Sequence, residues 1–357
     1  MVTKVKAVGP LEKGGKLEVH EIERREPGED DVAIEITHCG ICHSDLHTAH
    51  GDWGATKDMY PMVTGHEIVG IVKQVGKSVT KFKAGDRVGV GCMVDSCRDC
   101  ASCRSGDEQY CDSGFTATYG SKRRYKSDFV GKYTNGGYST DIVVDQDFVL
   151  NVPDNMELAE AAPLLCAGIT TYSPLVHFNL RANQRLAVAG LGGLGHMAVK
   201  FGLAMGAHVT VLSRGTAKKE DALKMGAHDY IDVKDAAAVK AAANSFDLLV
   251  DTIAAQHDVM SYLGMVKPSG TMVLLGVPPA PYQVAAGSLV MSRKSLAGCL
   301  IGGVRETQEM LDFCVRHDIH CDIEMTTVDK LSEAWERTKK GDVRFRFVLD
   351  MDSLRTA

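Results

Sequence analysis

The sequence predicts a two-domain α/β chain in which a β-rich, loop-rich domain is interrupted by a doubly wound parallel sheet. Three observations predict it. Up to about Val152 the apolar residues come in short β-branched runs split by glycine and aspartate, beyond Ala161 apolar strands alternate with helix-length segments, and after about Gly302 that alternation stops. A chain of 357 residues also exceeds the size at which one hydrophobic core stops growing, so two domains are the default.

The elements follow in order. Strands are expected at 32–37, 68–75, 87–90 and 142–144, each a β-branched run bounded by turn residues. In the second stretch, strands at 186–189, 209–212, 230–233, 248–250 and 272–275 are separated by helical spacing such as Ala198, Phe201, Gly202 and Met205, the pattern of parallel βαβ units. The tail carries amphipathic helices at 306–317 and 331–340 and a closing strand at 344–349, read as a return to the first domain. The expected borders are 1–160, 161–299 and 300–357. The apolar stretch 186–212 is too broken by His196, Lys200 and glycines to span a membrane.

Composition narrows the function classes. With 45% apolar and 24% charged residues the chain is an ordinary globular protein, and its net charge of −6 argues against a nucleic-acid partner. The basic cluster Lys122, Arg123, Arg124 and Lys126 reads as a solvated loop. No targeting or lipidation signal is visible, so a cytoplasmic location without a membrane partner is expected.

Cys97, Cys100, Cys103 and Cys111 form a C-x2-C-x2-C-x7-C ladder, spacing that lets four thiolates converge on a tetrahedral ion. Zinc held by four sulfurs is a closed, structural site. A disulfide framework does not fit a long chain with 11 cysteines. Iron–sulfur ladders place the fourth cysteine closer and follow it with proline, whereas Asp112 stands here.

Gly190-Leu191-Gly192-Gly193-Leu194-Gly195 contains the G-x-G-x-x-G spacing between an expected strand and an expected helix, the context that makes the motif a dinucleotide signal. Its glycines serve a tight turn, close approach of a pyrophosphate and helix–strand packing. An NAD site would carry an acid at the end of the second strand. Ser213 stands there, followed by Arg214 and Lys218, which removes repulsion of a 2′-phosphate and supplies cations for it. NADP is therefore the expected cofactor.

Outside the ladder, Cys42, His66 and Cys166 can be assembled into a second ligand set. Two thiolates and a neutral imidazole leave zinc formally neutral with a fourth position open, so that it can act as a Lewis acid on a carbonyl. Cys39, Cys92, Cys299, Cys314 and Cys321 are read as small apolar core residues.

Cys42 lies in Gly40-Ile41-Cys42-His43-Ser44-Asp45, and His66 in Gly65-His66-Glu67-x2-Gly70-x5-Gly76-x2-Val79. With the ladder and the glycine motif in the same order, the chain resembles the zinc-dependent medium-chain alcohol dehydrogenases. The segments 166–175 and 301–303 resemble their cinnamyl-alcohol dehydrogenase branch of NADP-dependent aldehyde reductases. The resemblance covers essentially the whole chain, with one departure at Thr64, where relatives often carry proline. It implies a GroES-like catalytic domain with an inserted Rossmann domain, catalytic zinc on Cys42, His66 and Cys166, and Glu67 as an outer or alternate ligand. Two zinc ions per subunit are thus expected.

The resemblance further implies a proton path through Ser44 to His47. It implies cofactor contacts from Ser44, Thr170, Thr252, Gly276, Val277, Leu300, Ile301 and Gly302, beside the glycine turn, Ser213, Arg214 and Lys218. Trp53, Met59 and Leu300 are candidate pocket residues for a small alcohol or aldehyde. The apolar run 295–300 at a sheet edge is expected to pair subunits as a homodimer. Two other readings carry less: an NAD-linked polyol dehydrogenase, which Ser213 disfavours, and a non-catalytic dinucleotide-binding protein, which retention of Cys42, His66 and Cys166 disfavours.

Overall fold

A computed structural model describes residues 2–122, 125 and 129–357. Arg123, Arg124 and Lys126 of the basic cluster lie outside the described residues. The chain divides into two compact units, Met1–Cys166 with Gly302–Ala357, and Ala167–Ile301.

The first unit is built around the strand Asp31–Gly40, whose alternating Val32, Ile34 and Ile36 are buried. It pairs antiparallel with Ile68–Val75 on one side and, on the other, with Asp141–Asp145 and then Arg346–Asp350. Ile323–Thr326 extends the sheet beyond Arg346–Asp350, and Arg87–Val90 and Leu150–Asn151 extend it past Ile68–Val75. The tail therefore supplies two strands to a sheet begun near the N-terminus. A hairpin of Val2–Pro10 and Leu17–Arg25 stands beside it; the second of these segments is largely exposed, so its polar residues hid the strand pattern.

The central strand runs on to Gly40, past the expected end at residue 37, because Cys39 and Gly40 keep partners: Cys39 faces Ile68 and Leu349 on its two sides. This extension matters for the site. It delivers Cys42 to the start of the helix His43–His50, while His66 and Glu67 lie just before the neighbouring strand, with the Gly40 N–H donating to the Glu67 carbonyl at 2.9 Å.

The second unit is a six-stranded, all-parallel sheet in the order Asp229–Asp232, His208–Ser213, Arg185–Ala189, Phe246–Asp251, Val266–Leu274, Ser295–Gly298. The order reverses beside Arg185–Ala189, so a crevice opens where the glycine motif follows that strand. Val188, Val250 and Val273 are fully buried, and Phe246, Leu249, Leu263 and Met272 fill one face. Each such side chain contributes about 1.5–3 kcal/mol by burial. Val266–Leu274 starts earlier than the expected residue 272 because the ladder skips from Val266 to Thr271. Pro268, which has no N–H to give, and Ser269, at φ 61°, sit in that irregularity.

Candidate metal centres and dinucleotide site

In the first unit the thiols of Cys97, Cys100, Cys103 and Cys111 all lie within 4.8 Å of one another. A tetrahedron with zinc–sulfur bonds of about 2.3 Å has sulfur–sulfur edges of roughly 3.8 Å, and the Cys97 and Cys103 sulfurs stand 3.8 Å apart. The loop aims backbone donors at these sulfurs: the N–H groups of Cys97, Cys100 and Cys103 point to Cys111, Cys97 and Cys100 at 3.3–3.5 Å. Their effects on the thiols are unequal. Burial pushes Cys103 up to about 12. Burial also works against ionising Cys111, but hydrogen bonds, led by that from the Cys97 backbone, hold it at about 6. A cation of charge two would supply what lets all four ionise.

The second cluster consists of Cys42, His66, Glu67 and Cys166, all buried, with one ligand atom from each inside 4.8 Å. The Cys42 and Cys166 sulfurs are 3.9 Å apart, again close to a tetrahedral edge. Their shared hydrogen bond holds the Cys42 thiol well below its usual range and pushes Cys166 well above it. The pair thus keeps one proton that a divalent cation would displace. Both donor sets fit zinc.

Asp45, fully buried, organises this cluster. One carboxylate oxygen accepts from the Cys42 N–H at 2.9 Å and the Tyr138 hydroxyl at 3.1 Å, and the other from the Gly65 N–H at 2.9 Å and His66 Nδ1 at 3.1 Å. With Nδ1 bound to the carboxylate, Nε2 is the atom left to ligate. Burial opposes charge on His66, yet Asp45 outweighs it and pushes the ring well up; this makes the imidazole a stronger donor to a metal. Glu67 is paired with Arg346 of the closing strand, both buried, and its Oε2 has no hydrogen-bond partner.

Asp45, Arg346 and Tyr138 were not anticipated. Asp45 had a readable signal, an acid three residues after the residue preceding a helix. Cys92, expected as core filler, hydrogen-bonds Cys166, which holds the Cys92 thiol down against its burial. Ser44 Oγ lies 3.6 Å from the Cys42 sulfur. His47 pairs through Nδ1 with Asp52 at 2.8 Å and stacks on the exposed ring of Trp53, centroids 5.3 Å apart.

In the second unit, Gly190 adopts a left-handed φ of 88°. A Cβ on Gly195, the first residue of the helix Gly195–Ala204, would sit 1.9 Å from the Gly190 carbonyl oxygen, whereas one on Gly192 would meet nothing within 4 Å. The first is a turn, the last a packing contact, and the middle glycine leaves open backbone that a pyrophosphate can approach.

Ser213 ends the strand His208–Ser213 and Arg214 is exposed beyond it. Lys218 Nζ donates to the Leu191 carbonyl at 2.6 Å, which puts its charge beside the glycine turn. Thr252 Oγ1 donates to the Ala189 carbonyl at 2.8 Å. Thr170 is buried, Val277 and Leu300 are exposed, and Ile301 has a φ of 38°. Gly302, expected with these, belongs to the first unit.

Family models for an alcohol dehydrogenase GroES-like domain and a zinc-binding dehydrogenase match residues 28–154 and 193–316. The chain is 52% identical over 336 residues to NADP-dependent alcohol dehydrogenase C 1 of Mycolicibacterium smegmatis, covering 94% of each. It is 48% identical over 353 residues to the aldehyde reductase YahK of Escherichia coli, covering 98% of this chain and 99% of that one. Among solved structures it is similar to a cinnamyl alcohol dehydrogenase of Sorghum bicolor, with a TM-score of 0.93, 44% identity and 98% of each chain covered.

Proposed function

The chain belongs to the zinc-dependent medium-chain alcohol dehydrogenases, in their cinnamyl-alcohol-dehydrogenase-like branch, and from that premise we propose how its residues divide the work of an NADP-dependent alcohol dehydrogenase and aldehyde reductase. The observation that carries the division is the contrast between its two sulfur clusters: one closed by four cysteines, the other with two cysteines, one oriented histidine and a carboxylate already committed to Arg346.

Cys42, His66 and Cys166 would hold the catalytic zinc, and Cys97, Cys100, Cys103 and Cys111 the structural one. When bound, zinc polarises a carbonyl oxygen and NADPH supplies hydride. Asp45 fixes the His66 ring. The Ser44 hydroxyl hands a proton to or from the alcohol oxygen, and His47 is the far end of that path. Asp52 occupies its Nδ1, leaving Nε2 as the atom that exchanges protons.

In the second unit Gly190 to Gly195 would hold the pyrophosphate, and Ser213 with Arg214 and Lys218 the ribose 2′-phosphate. Wild type is expected to prefer NADPH by about ten- to a hundredfold, the worth of one charge-assisted hydrogen bond of roughly 1.5–3 kcal/mol. Ser213→Asp with Arg214→Ile should move that preference toward NADH, because it adds a ribose acceptor and removes the phosphate partner. Specificity constants with both cofactors, on a panel of aliphatic, aromatic and sugar aldehydes, provide the check; an unshifted preference would overturn the assignment.

Two subunits pair, in this proposal, along Ser295–Gly298, which ends the parallel sheet and lies near in sequence to the strongly exposed Val290 and Met291. An unpaired edge beside apolar side chains is a natural place for a second copy. Light scattering should give a dimer mass at micromolar concentration, and a monomer would remove the proposal. No helix among the described residues is long and apolar enough to cross a membrane.

A further inference from the structure

We propose that Asp251, His257 and Tyr282 form a clamp that positions the cofactor-binding loops of the parallel-sheet unit and so sets its affinity for NADP(H). The inference rests on the assignment of the glycine turn to that cofactor.

Asp251 is the last residue of its strand and 1% exposed. One of its oxygens accepts from the Ile253 N–H at 3.0 Å, and the other faces Nε2 of His257 at 2.8 Å. His257 Nδ1 stands 2.8 Å from the Ala255 carbonyl oxygen and 2.9 Å from the Tyr282 hydroxyl. A carbonyl can only accept, so a hydrogen on Nδ1 faces Ala255, while Nε2 faces the carboxylate. The ring therefore bridges three backbone segments: the strand end at Asp251, the loop after it, and the loop bearing Tyr282 that follows Val266–Leu274. Tyr262 and Tyr282 meet the His257 ring edge-on, centroids 5.2 and 5.1 Å away, and fix its plane.

The clamped residues are those against the glycine turn. A Cβ on Gly190 would lie 2.9 Å from Thr252 Oγ1 and 3.2 Å from Ile253 Cγ1, and one on Gly276 only 2.2 Å from the Ile253 carbonyl oxygen. Ile253, held by Asp251, is thus wedged between the first glycine of the turn and Gly276. Releasing His257 lets Ile253 shift toward the space above the turn. None of the three residues is assigned a part in the chemical step; they are positioning residues.

The test measures NADPH dissociation by fluorescence, together with kcat and the KM for NADPH, on the zinc-loaded enzyme. His257→Phe keeps an aromatic ring and removes both ring nitrogens; it should weaken NADPH binding at least about tenfold while kcat at saturating NADPH stays within about threefold. His257→Gln, which can still donate to Asp251, should recover part of the loss. Tyr282→Phe removes one hydroxyl and should weaken binding about threefold, which keeps the proposal testable where His257→Phe does not fold. NADPH affinity within about twofold of wild type in Tyr282→Phe and in any folded His257 variant would overturn it, as would a fall in kcat at unchanged affinity. Failure of the wild type itself to bind NADPH would instead overturn the cofactor assignment.

Discussion

Cys42→Ser is expected to yield a folded protein that keeps one zinc and turns over at least roughly a thousandfold more slowly. Lewis-acid stabilisation at a metal is worth several kcal/mol, and about 4 kcal/mol corresponds to that factor. The alcohol of serine is a far poorer ligand than a thiolate. The remaining pair, His66 and Cys166, would also lose the hydrogen bond that now joins the two sulfurs. Cys100→Ser should behave in the opposite way: the closed cluster loses its ion and the protein loses solubility, because a metal bound to the folded state alone contributes to stability. Metal content per chain, thermal melting and turnover, measured on both variants, separate the two sites. A Cys42→Ser enzyme with both zincs and wild-type turnover would refute the catalytic assignment.

Arg346→Met should destabilise the protein by about 3–5 kcal/mol, the usual cost of leaving one member of a buried ion pair without its partner. Glu67 is fully buried and the Arg346 side chain is 6% exposed, so water cannot replace the guanidinium. Nor can Glu67 swing away, for Gly40 packs against its carboxylate closely enough that even a methyl group there would collide with Oε2. The double variant with Glu67→Gln should recover much of the loss, since it removes the stranded charge along with its partner. Denaturant midpoints of the wild type, the single and the double variant provide the check, and a single-variant loss below about 1 kcal/mol would show that the pair is not coupled in this way.

These two variants mark how far the sequence could be read. The cysteine ladder spans 15 positions, 97 to 111, and the glycine motif six; both are local, so spacing alone expresses their geometry. Cys42, His66 and Cys166 are spread over more than a hundred positions; their donor chemistry makes them a possible set, and the resemblance singles them out. Arg346 was beyond reach of either route. It comes to Glu67 because the closing strand pairs with Asp31–Gly40, and nothing near residue 67 records which cation will arrive. Strand interiors were legible from alternation, whereas strand ends were not: Cys39 and Gly40 extend their strand because neighbours from two other parts of the chain hold them. Cys92 shows the same limit in chemistry, since a thiol's role depends on what packs beside it.

The way the closing strand completes the first unit has a consequence for synthesis. Arg346–Asp350 pairs with Asp31–Gly40, residues that leave the ribosome some three hundred positions earlier. Until the tail emerges, one side of that strand near Gly40 stays open while the entire parallel-sheet unit is being made. The inserted unit can fold as it is translated, because all of its strands are contiguous in the chain, but the outer unit cannot finish. At about 5–20 residues per second the delay lasts roughly fifteen seconds to a minute, during which Glu67 has no Arg346. Nascent chains stalled before residue 346 should therefore hold a protease-resistant nucleotide unit beside a vulnerable outer one.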